Sequence, residues 1–213
     1  MIIFDLDGTL WDSSIQVAES WNLYIKKEYD LDRGLTAADI ARNMGKTMDD
    51  IADDLFADFS PDERYALARG CEKFENGYIS EHGGRLYEGV RETLKMLKDK
   101  GEKLAVVSNC QEGYIKAFMV SMDMKSMFID YEEWGRTGLS KSENIKLVME
   151  RNCEGQAVYV GDIQKDCDSA HDAGIPCIHA AYGFGEMRDA EGRIDSFSEL
   201  PAVLHELTGR SGR

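Results

Sequence analysis

The stretch Met1-Ile2-Ile3-Phe4-Asp5-Leu6-Asp7-Gly8-Thr9-Leu10 joins a short apolar run to two carboxylates two positions apart. The apolar run predicts a fully buried strand that ends at a turn. Asp5 and Asp7 then lie in the loop at the carboxyl end of that strand, where open α/β sheets bind ligands. Because crowded carboxylates repel each other, we expect a hard cation with oxygen ligands between them. The alternative is an ordinary strand followed by an Asp-Gly turn.

The composition is that of a globular protein: 213 residues, 43% hydrophobic and 31% charged. This length allows one full domain and a smaller insertion. No apolar run approaches the ~20 residues that a membrane span needs, and the chain enters its first strand at once, which predicts no signal peptide. The five scattered cysteines are typical of reduced thiols. We therefore expect a cytoplasmic protein that does not contact membranes.

The net charge of −15 argues against nucleic acid and anionic membranes as partners. The same charge opposes an anionic substrate at long range. A site that binds phosphate must therefore be locally positive.

Residues 13–84 show helical patterns and no strand signal. Asp12-Ser13-Ser14 indicates a helix start. Ser60-Pro61-Asp62-Glu63 is a capping box with proline in the first turn, and Gly83-Gly84 ends that helix. We predict an all-helical cap domain at 13–84, inserted into a core of residues 1–12 and 85–213.

From residue 86 the pattern changes to strands that alternate with helices. Strands are predicted at 103–107, 127–131 and 157–160, with another inside 175–180. This alternation is typical of a parallel sheet with helices on both faces. The fold class is therefore α/β: a parallel-sheet Rossmann-like core plus the inserted helical cap.

Two further candidates follow a predicted strand or begin a helix. Ser108-Asn109 comes directly after the strand at 103–107, and its hydroxyl and amide can hold phosphoryl oxygens; a helix-capping turn is the alternative. Lys141 begins a helix and so runs against the helix dipole, which a phosphoryl group or an Asp pair would compensate. A solvated surface lysine is the alternative, with Arg136 and Lys146 as competing cations.

A last group of acids follows the strand at 157–160. In Gly161-Asp162-Ile163-Gln164-Lys165-Asp166 the two aspartates are four residues apart, about one helical turn, so they can face the same point. Acidic residues are also favoured at helix N-termini. That preference explains one aspartate better than it explains the whole array.

Taken in order, these groups resemble the four motifs of the haloacid dehalogenase superfamily, whose members are mostly Mg²⁺-dependent phosphatases. Asp5 to Thr9 matches DxDGT, Ser108 and Lys141 match the second and third motifs, and the stretch Gly161 to Asp166 matches GDxxxD. The third match is imperfect, because many relatives have Lys-Pro where this chain has Lys-Ser. The insertion resembles the helical cap of the phosphoglycolate phosphatase-like subfamily.

The resemblance implies catalysis through an aspartyl-phosphate. Asp5 would attack phosphorus. Asp7 would protonate the leaving oxygen and then take a proton from the hydrolytic water. Ser108, Asn109 and Lys141 would bind the transferring phosphoryl group.

The resemblance also implies the metal ligands. Asp5, the backbone carbonyl of Asp7 and Asp162 would bind Mg²⁺. Asp166 would act from the second shell, orienting Lys141 or a metal-bound water. Having an acid at position 7 favours phosphate chemistry over dehalogenation, since dehalogenating relatives lack it.

Specificity is expected from the cap, because the core recognises only phosphate. Arg42 and Lys46 flank Gly45 at a predicted helix break and could reach over the site; an ordinary loop between helices is the alternative. Trp21 is interpreted as cap core. Linkers on either side of the cap suggest that it opens and closes.

The predicted function is a Mg²⁺-dependent phosphomonoesterase acting on a small phosphorylated metabolite, such as phosphoglycolate or a sugar phosphate. A phosphotransferase resembling β-phosphoglucomutase is the alternative on the same fold. A signalling receiver domain and a non-catalytic binding module rank lower, since receivers lack a helical insertion and no motif is missing here. The sequence leaves open whether the chain is a monomer or a homodimer.

Overall fold

The computed structural model describes residues 1–153 and 155–210, with side chains described through residue 207. The last three residues of the predicted core lie outside these ranges. The strands are β1 (Ile2–Phe4), β2 (Trp11–Asp12), β3 (Arg85–Leu86), β4 (Leu104–Ser108), β5 (Asp130–Glu133), β6 (Val158–Gly161), β7 (Cys177–Ala180) and β8 (Gly192–Ile194).

The helices follow the same chain order. They are α1 (Ser14–Tyr29), α2 (Ala37–Ala41), α3 (Met48–Leu55), α4 (Pro61–His82), α5 (Val90–Asp99), α6 (Tyr114–Ser121), α7 (Trp134–Thr137), α8 (Lys141–Asn152), α9 (Gln164–Ala173) and α10 (Leu200–Arg210), with a short 3₁₀ helix at Phe197–Glu199. Among the described residues, no helix is both long and apolar enough to cross a membrane.

Six strands form one parallel sheet in the order β5-β4-β1-β6-β7-β8. The first strand lies in the middle: Ile2 is paired with Leu104 of β4 on one side and with Val158 of β6 on the other. The carboxyl ends of β1, β4 and β6 therefore meet at one edge of the sheet. This architecture confirms the predicted fold class.

Alternate residues of the central strands face opposite sides of the sheet and build two apolar clusters. Phe4 and Val160 belong to the cluster on the side of α5, α6 and α10. Ile3 and Tyr159 belong to the cluster packed against α8 and α9. Burial on both faces explains why these strands read as continuous apolar runs.

The insertion leaves and re-enters the core through a two-stranded antiparallel ribbon. Trp11 pairs with Leu86, and Asp12 pairs with Arg85. The four helices α1 to α4 lie between these strands, and α4 also packs against α6 of the core. The division at 13–84 into a separate, movable cap stays a prediction.

The predicted strand at 127–131 is displaced. The structure forms β5 at Asp130–Glu133 instead, and Met127 and Phe128 pack into the apolar core. An acidic strand is stable at this edge of the sheet because Glu132 forms ion pairs with Arg136 and Arg151. The apolar pattern located the segment, but the ion pairs that fix its register come from residues further along the chain.

Candidate active site

The loop after β1 turns within a few residues and directs both acids into one cavity. The amide of Leu10 donates to the Leu6 carbonyl (2.9 Å), and Asp5 and Asp7 both line the cavity. Gly8 has φ of +83°, and a Cβ on it would lie 2.1 Å from Asp162 Oδ2. Glycine is therefore required there on two grounds, backbone conformation and the close approach of Asp162.

Lys141 is only 4% exposed and bridges two carboxylates. Its Nζ lies 3.0 Å from Asp5 Oδ1 and 2.6 Å from Asp166 Oδ1. Burial acts to lower the pKa of Lys141, but Asp166 and Asp5 outweigh it and raise the pKa above its usual value. The ammonium group is therefore charged at neutral pH and is held against Asp5.

The structure brings Lys141 into the site and leaves its two competitors outside. Arg136 is paired with Glu132 at the sheet edge. Lys146 is exposed on α8. A pair of aspartates was one of the two predicted ways to balance the charge of Lys141 at its helix N-terminus, and the fold provides this pair.

Three buried acids stand together beside this lysine. One carboxylate oxygen from each of Asp5, Asp162 and Asp166 lies within 4.8 Å of the others. Burial is the main cause that raises the pKa of Asp5 to about 6 and that of Asp162 to about 8, and the neighbouring acids add to it. Within the described part of the chain, Lys141 forms ion pairs with Asp5 and Asp166 and none is formed by Asp162, so this group of acids fits a hard divalent cation bound through oxygen.

Asp166 uses both of its oxygens inside the protein. Oδ1 accepts from Lys141, and Oδ2 accepts from the amides of Asp162 and Ile163 at 3.1 and 3.2 Å. These contacts hold the lysine and the start of the loop after β6 in place. The arrangement is suited to an orienting role.

Asp162 is also held from a second loop, the one that follows β7. The amide of Phe184 donates to Asp162 Oδ2 (2.8 Å). A Cβ on Gly183 would lie 2.3 Å from the Asp162 Cβ and 2.4 Å from the Gly8 carbonyl oxygen. The loop after β7 therefore packs directly on the acid cluster.

Asp7 has hydroxyl partners that the sequence did not reveal. Ser13 Oγ donates to Asp7 Oδ1 (2.6 Å), and the Tyr114 hydroxyl lies 3.1 Å from the same oxygen and 2.7 Å from Ser13 Oγ. Burial raises the pKa of Asp7 to about 7, although these hydroxyls act to lower it. A carboxyl group that titrates near neutral pH can both give and take a proton.

Ser13 was interpreted only as part of a helix start. It does precede α1, but its side chain makes no hydrogen bond to that helix. Its hydroxyl turns to Asp7, which lies on the other side of the β2 strand. Tyr114 carried no sequence signal, because only the fold brings the first turn of α6 to the loop after β1.

The cavity has a volume of about 70 Å³ and lies between the core and the cap. On the core side, Ser108 and Asn109 line it together with Asp5 and Asp7. On the cap side the wall includes Trp21, Met44, Gly45, Lys46, Glu72 and Glu75. The cavity thus joins two of the predicted phosphate-binding residues, Ser108 and Asn109, to side chains from the cap, whereas Lys141 lies behind Asp5 and is not part of its lining.

The two cap residues predicted from sequence are placed differently. Lys46 lines the cavity, but its ammonium group is bonded to Asp54 and to Asn43 Oδ1. Arg42 is not part of the cavity wall, and its exposed side chain pairs with Asp39 one turn earlier. The break around Gly45 does reach the core, since a Cβ there would lie 2.5 Å from Ile163 Cδ1.

Glu75 was missed by sequence reasoning and is the most buried acid of the cap. Its side chain receives the indole N–H of Trp21 and, from the core, Gln111 Nε2 (2.7 Å). Burial raises the pKa of Glu75 to about 8. A buried acid on a helix that otherwise carries many exposed charges gives no local signal.

Comparison with known proteins agrees with this geometry. The model of the haloacid dehalogenase-like hydrolases matches residues 2–180. The chain is 27% identical over 197 residues to phosphoglycolate phosphatase of Pseudomonas savastanoi pv. phaseolicola, covering 88% of this chain and 71% of the relative. It is 28% identical over 220 residues to phosphoglycolate phosphatase of Nitrosospira multiformis, covering 97% and 93%.

Solved structures with a similar fold are also known. The crystal structure of a predicted phosphoglycolate phosphatase from Haemophilus somnus superposes with a TM-score of 0.78 at 24% identity, covering 96% of this chain and 97% of that one. At this identity the likeness concerns the fold. It includes the helical insertion, because nearly the whole of both chains is covered.

Proposed function

The chain belongs to the haloacid dehalogenase-like hydrolase family, and we propose that it is a Mg²⁺-dependent phosphatase that hydrolyses small phosphate monoesters through an aspartyl-phosphate on Asp5. The observation that carries this proposal is the buried bridge from Lys141 to Asp5 and Asp166. It leaves a carboxylate at the cavity with a positive charge beside it. A phosphoryl dianion can approach such a carboxylate with less repulsion.

Asp5 acts as the nucleophile in the first step. One of its oxygens forms a bond to phosphorus while the bond from phosphorus to the leaving oxygen breaks. Asp7 gives its proton to that leaving oxygen, so an alcohol departs. Ser108, Asn109 and Lys141 bind the phosphoryl oxygens during the transfer.

Asp7 acts again in the second step. It takes a proton from a water molecule, whose oxygen bonds to phosphorus as the Asp5–phosphorus bond breaks. Inorganic phosphate and the original carboxylate result. The pKa of about 7 suits Asp7 to both directions of proton transfer.

The acid cluster fits Mg²⁺, with the carboxylates of Asp5 and Asp162 and the backbone carbonyl of Asp7 as protein ligands. When bound, the ion supplies positive charge that offsets repulsion between the carboxylates and the phosphate. We assign Asp166 to positioning Lys141, because its Oδ1 accepts from the lysine and its Oδ2 accepts from the amides of Asp162 and Ile163.

The test is hydrolysis of p-nitrophenyl phosphate, with Mg²⁺ and with EDTA, by the wild type and Asp5→Asn. We expect turnover by the wild type only with Mg²⁺, and a loss on the order of 10⁴-fold or more in kcat for Asp5→Asn. Asp168→Asn is the matched control, since Asp168 is exposed on α9 and accepts a hydrogen bond from Gln164 on the same helix. Equal turnover by wild type and Asp5→Asn would contradict the nucleophile assignment.

Phosphoglycolate is one candidate substrate, because the curated relatives carry that name. A sugar phosphate is another. Product analysis with a hexose phosphate also separates hydrolysis, which releases inorganic phosphate, from transfer to a second sugar hydroxyl.

A further inference from the structure

The cap side of the cavity is acidic. Glu72 and Glu75 lie three residues apart on α4, so they share one face of the helix, and both line the cavity. We call this pair the acidic wall. It stands opposite the core residues that are proposed to bind the phosphoryl group, at the place where the rest of a substrate must lie.

Glu75 is 3% exposed and is held firmly without a cation. Trp21 Nε1 donates to its Oε2, and Gln111 Nε2 donates to its Oε1. Each carboxylate oxygen has two lone pairs, so each can still accept one more hydrogen bond. Two neutral donors fix the orientation of the group and leave acceptor capacity on a residue that lines the cavity.

Glu72 is half-buried on the same wall. Within residues 1–153 and 155–210, its carboxylate accepts no hydrogen bond and forms no ion pair. Burial raises the pKa of Glu72 to about 7, although Arg69 acts in the opposite direction. Among the described residues, neither member of the acidic wall forms an ion pair, although Arg69 and Lys73 act on Glu72 from beyond ion-pair distance.

The described cavity wall offers no free positive charge to balance these two acids. Among the described residues that line the cavity, Lys46 is the sole lysine or arginine. Its ammonium group is already paired with Asp54. A substrate with a second negative group, such as a carboxylate, would be desolvated against Glu72 and Glu75 without a cation of its own.

We infer that the substrate is the phosphate monoester of a short amino alcohol, whose ammonium group is bound by Glu75 and Glu72. This inference rests on the proposed function and names its substrate class. The ammonium group supplies hydrogen-bond donors and a positive charge that favours the ionised form of both glutamates, so the wall gives up protons as the ammonium group binds. Trp21, Met44 and the small volume of the cavity suit a short carbon chain between the two charged ends.

Three esters of nearly equal size test the charge preference directly. O-Phosphoethanolamine carries an ammonium group, propyl phosphate carries a methyl group at the same place, and phosphoglycolate carries a carboxylate. We expect wild-type kcat/KM to fall in that order, with at least a tenfold difference between the first and the last. A higher kcat/KM for phosphoglycolate than for O-phosphoethanolamine would overturn the inference.

Glu75→Gln tests whether this wall is the source of the preference. The substitution keeps the shape but cannot ionise against an ammonium group, so the ratio of kcat/KM for O-phosphoethanolamine over propyl phosphate should fall about tenfold. Glu81→Gln is the control on the same helix, because Glu81 is exposed, and its ratio should equal that of the wild type. An unchanged ratio in Glu75→Gln overturns the assignment of Glu75.

Glu72→Gln provides a second variant if Glu75→Gln does not fold, with a smaller fall in the same ratio expected because Glu72 is less buried. Failure of the proposed substrate class can be distinguished from failure of the phosphatase proposal. Turnover of p-nitrophenyl phosphate through Asp5, but not of O-phosphoethanolamine, overturns the substrate class and leaves the phosphatase proposal standing. Absence of turnover of every ester overturns the phosphatase proposal.

Discussion

The core half and the cap half of the cavity provide different partners for their buried carboxyl groups. In the core half, Asp5 and Asp166 share the ammonium group of Lys141. In the cap half, Glu75 receives only the neutral donors Trp21 and Gln111. The first arrangement is equipped to stabilise a reaction that every phosphate monoester shares, whereas the second leaves acceptor capacity for the part that differs between substrates.

The difference also concerns what holds each acid in place. In the core half the partners of the acids are charged groups and backbone amides within the parallel sheet and its loops. In the cap half, Gln111 reaches Glu75 from the core, and Asn76 Nδ2 donates to the Glu112 carbonyl (2.8 Å). The position of the acidic wall therefore depends on how the cap sits on the core.

The largest expected effect comes from removing the cation of the core half. Lys141→Met should lower kcat for p-nitrophenyl phosphate on the order of 10³-fold, because Asp5 and Asp166 lose their shared partner and the phosphoryl group loses a donor. Lys146→Met is the control, since Lys146 is exposed on the same helix. A loss of less than tenfold would show that charge compensation by Lys141 is not what distinguishes the core half.

A smaller effect is expected from Glu75, and it concerns how the free energy of unfolding depends on pH. The pKa of Glu75 in the folded protein, about 8, is above its ordinary value of 4.5, because burial disfavours the charged form. The folded state thus keeps this proton where the unfolded chain has lost it, and the associated stability falls as the pH rises from about 4.5 to about 8.

Glu75→Gln lacks this titration. The free energy of unfolding of the wild type, measured relative to the variant by urea denaturation, should fall by about 3 kcal/mol between pH 5 and pH 8, at about 1.4 kcal/mol per unit of pKa shift. A difference between the two proteins that is constant with pH would mean that Glu75 is charged in the fold. The cap half would then resemble the core half more closely than the structure indicates.

The smallest effect is expected at the boundary between the two halves. Tyr114→Phe removes a hydroxyl that lies 3.1 Å from Asp7 and 2.7 Å from Ser13. Asp7 keeps its bond from Ser13, so we expect about a tenfold loss of kcat and little change in KM. Steady-state kinetics of Tyr114→Phe would measure this loss. Tyr78→Phe is the control, because it alters a tyrosine of the cap whose hydroxyl donates to Glu19. A rise in KM alone would place Tyr114 in substrate binding.

Much of the core half could be predicted from sequence because its signals are local. A buried strand, the turn at Gly8 and the spacing of Asp162 and Asp166 are each written in a few consecutive residues. The parallel sheet follows from the alternation of strands and helices. Since strands of a parallel sheet end at the same edge, the acids that follow them come together.

The cap half could not be predicted in the same way. Arg42 and Lys46 were selected for their charge beside a helix break, but pairing with Asp39 and Asp54 takes up both charges. Glu75 is one of many acids on an acidic helix. Its burial depends on contacts with Trp21, 54 residues earlier, and with Gln111, 36 residues later.

The sequence by itself determined the class of the fold, the buried first strand and the identity of the acids around Asp5, since hydrophobic periodicity and turn chemistry act over neighbouring residues. The tertiary structure decided between the alternatives for Lys141 by placing it between Asp5 and Asp166, and it alone decided that Tyr114 reaches Asp7 and that Glu75 lines the cavity. These contacts join residues that are distant in the chain. Their geometry is set by the packing of helices on the sheet and of the cap on the core, which no local pattern encodes.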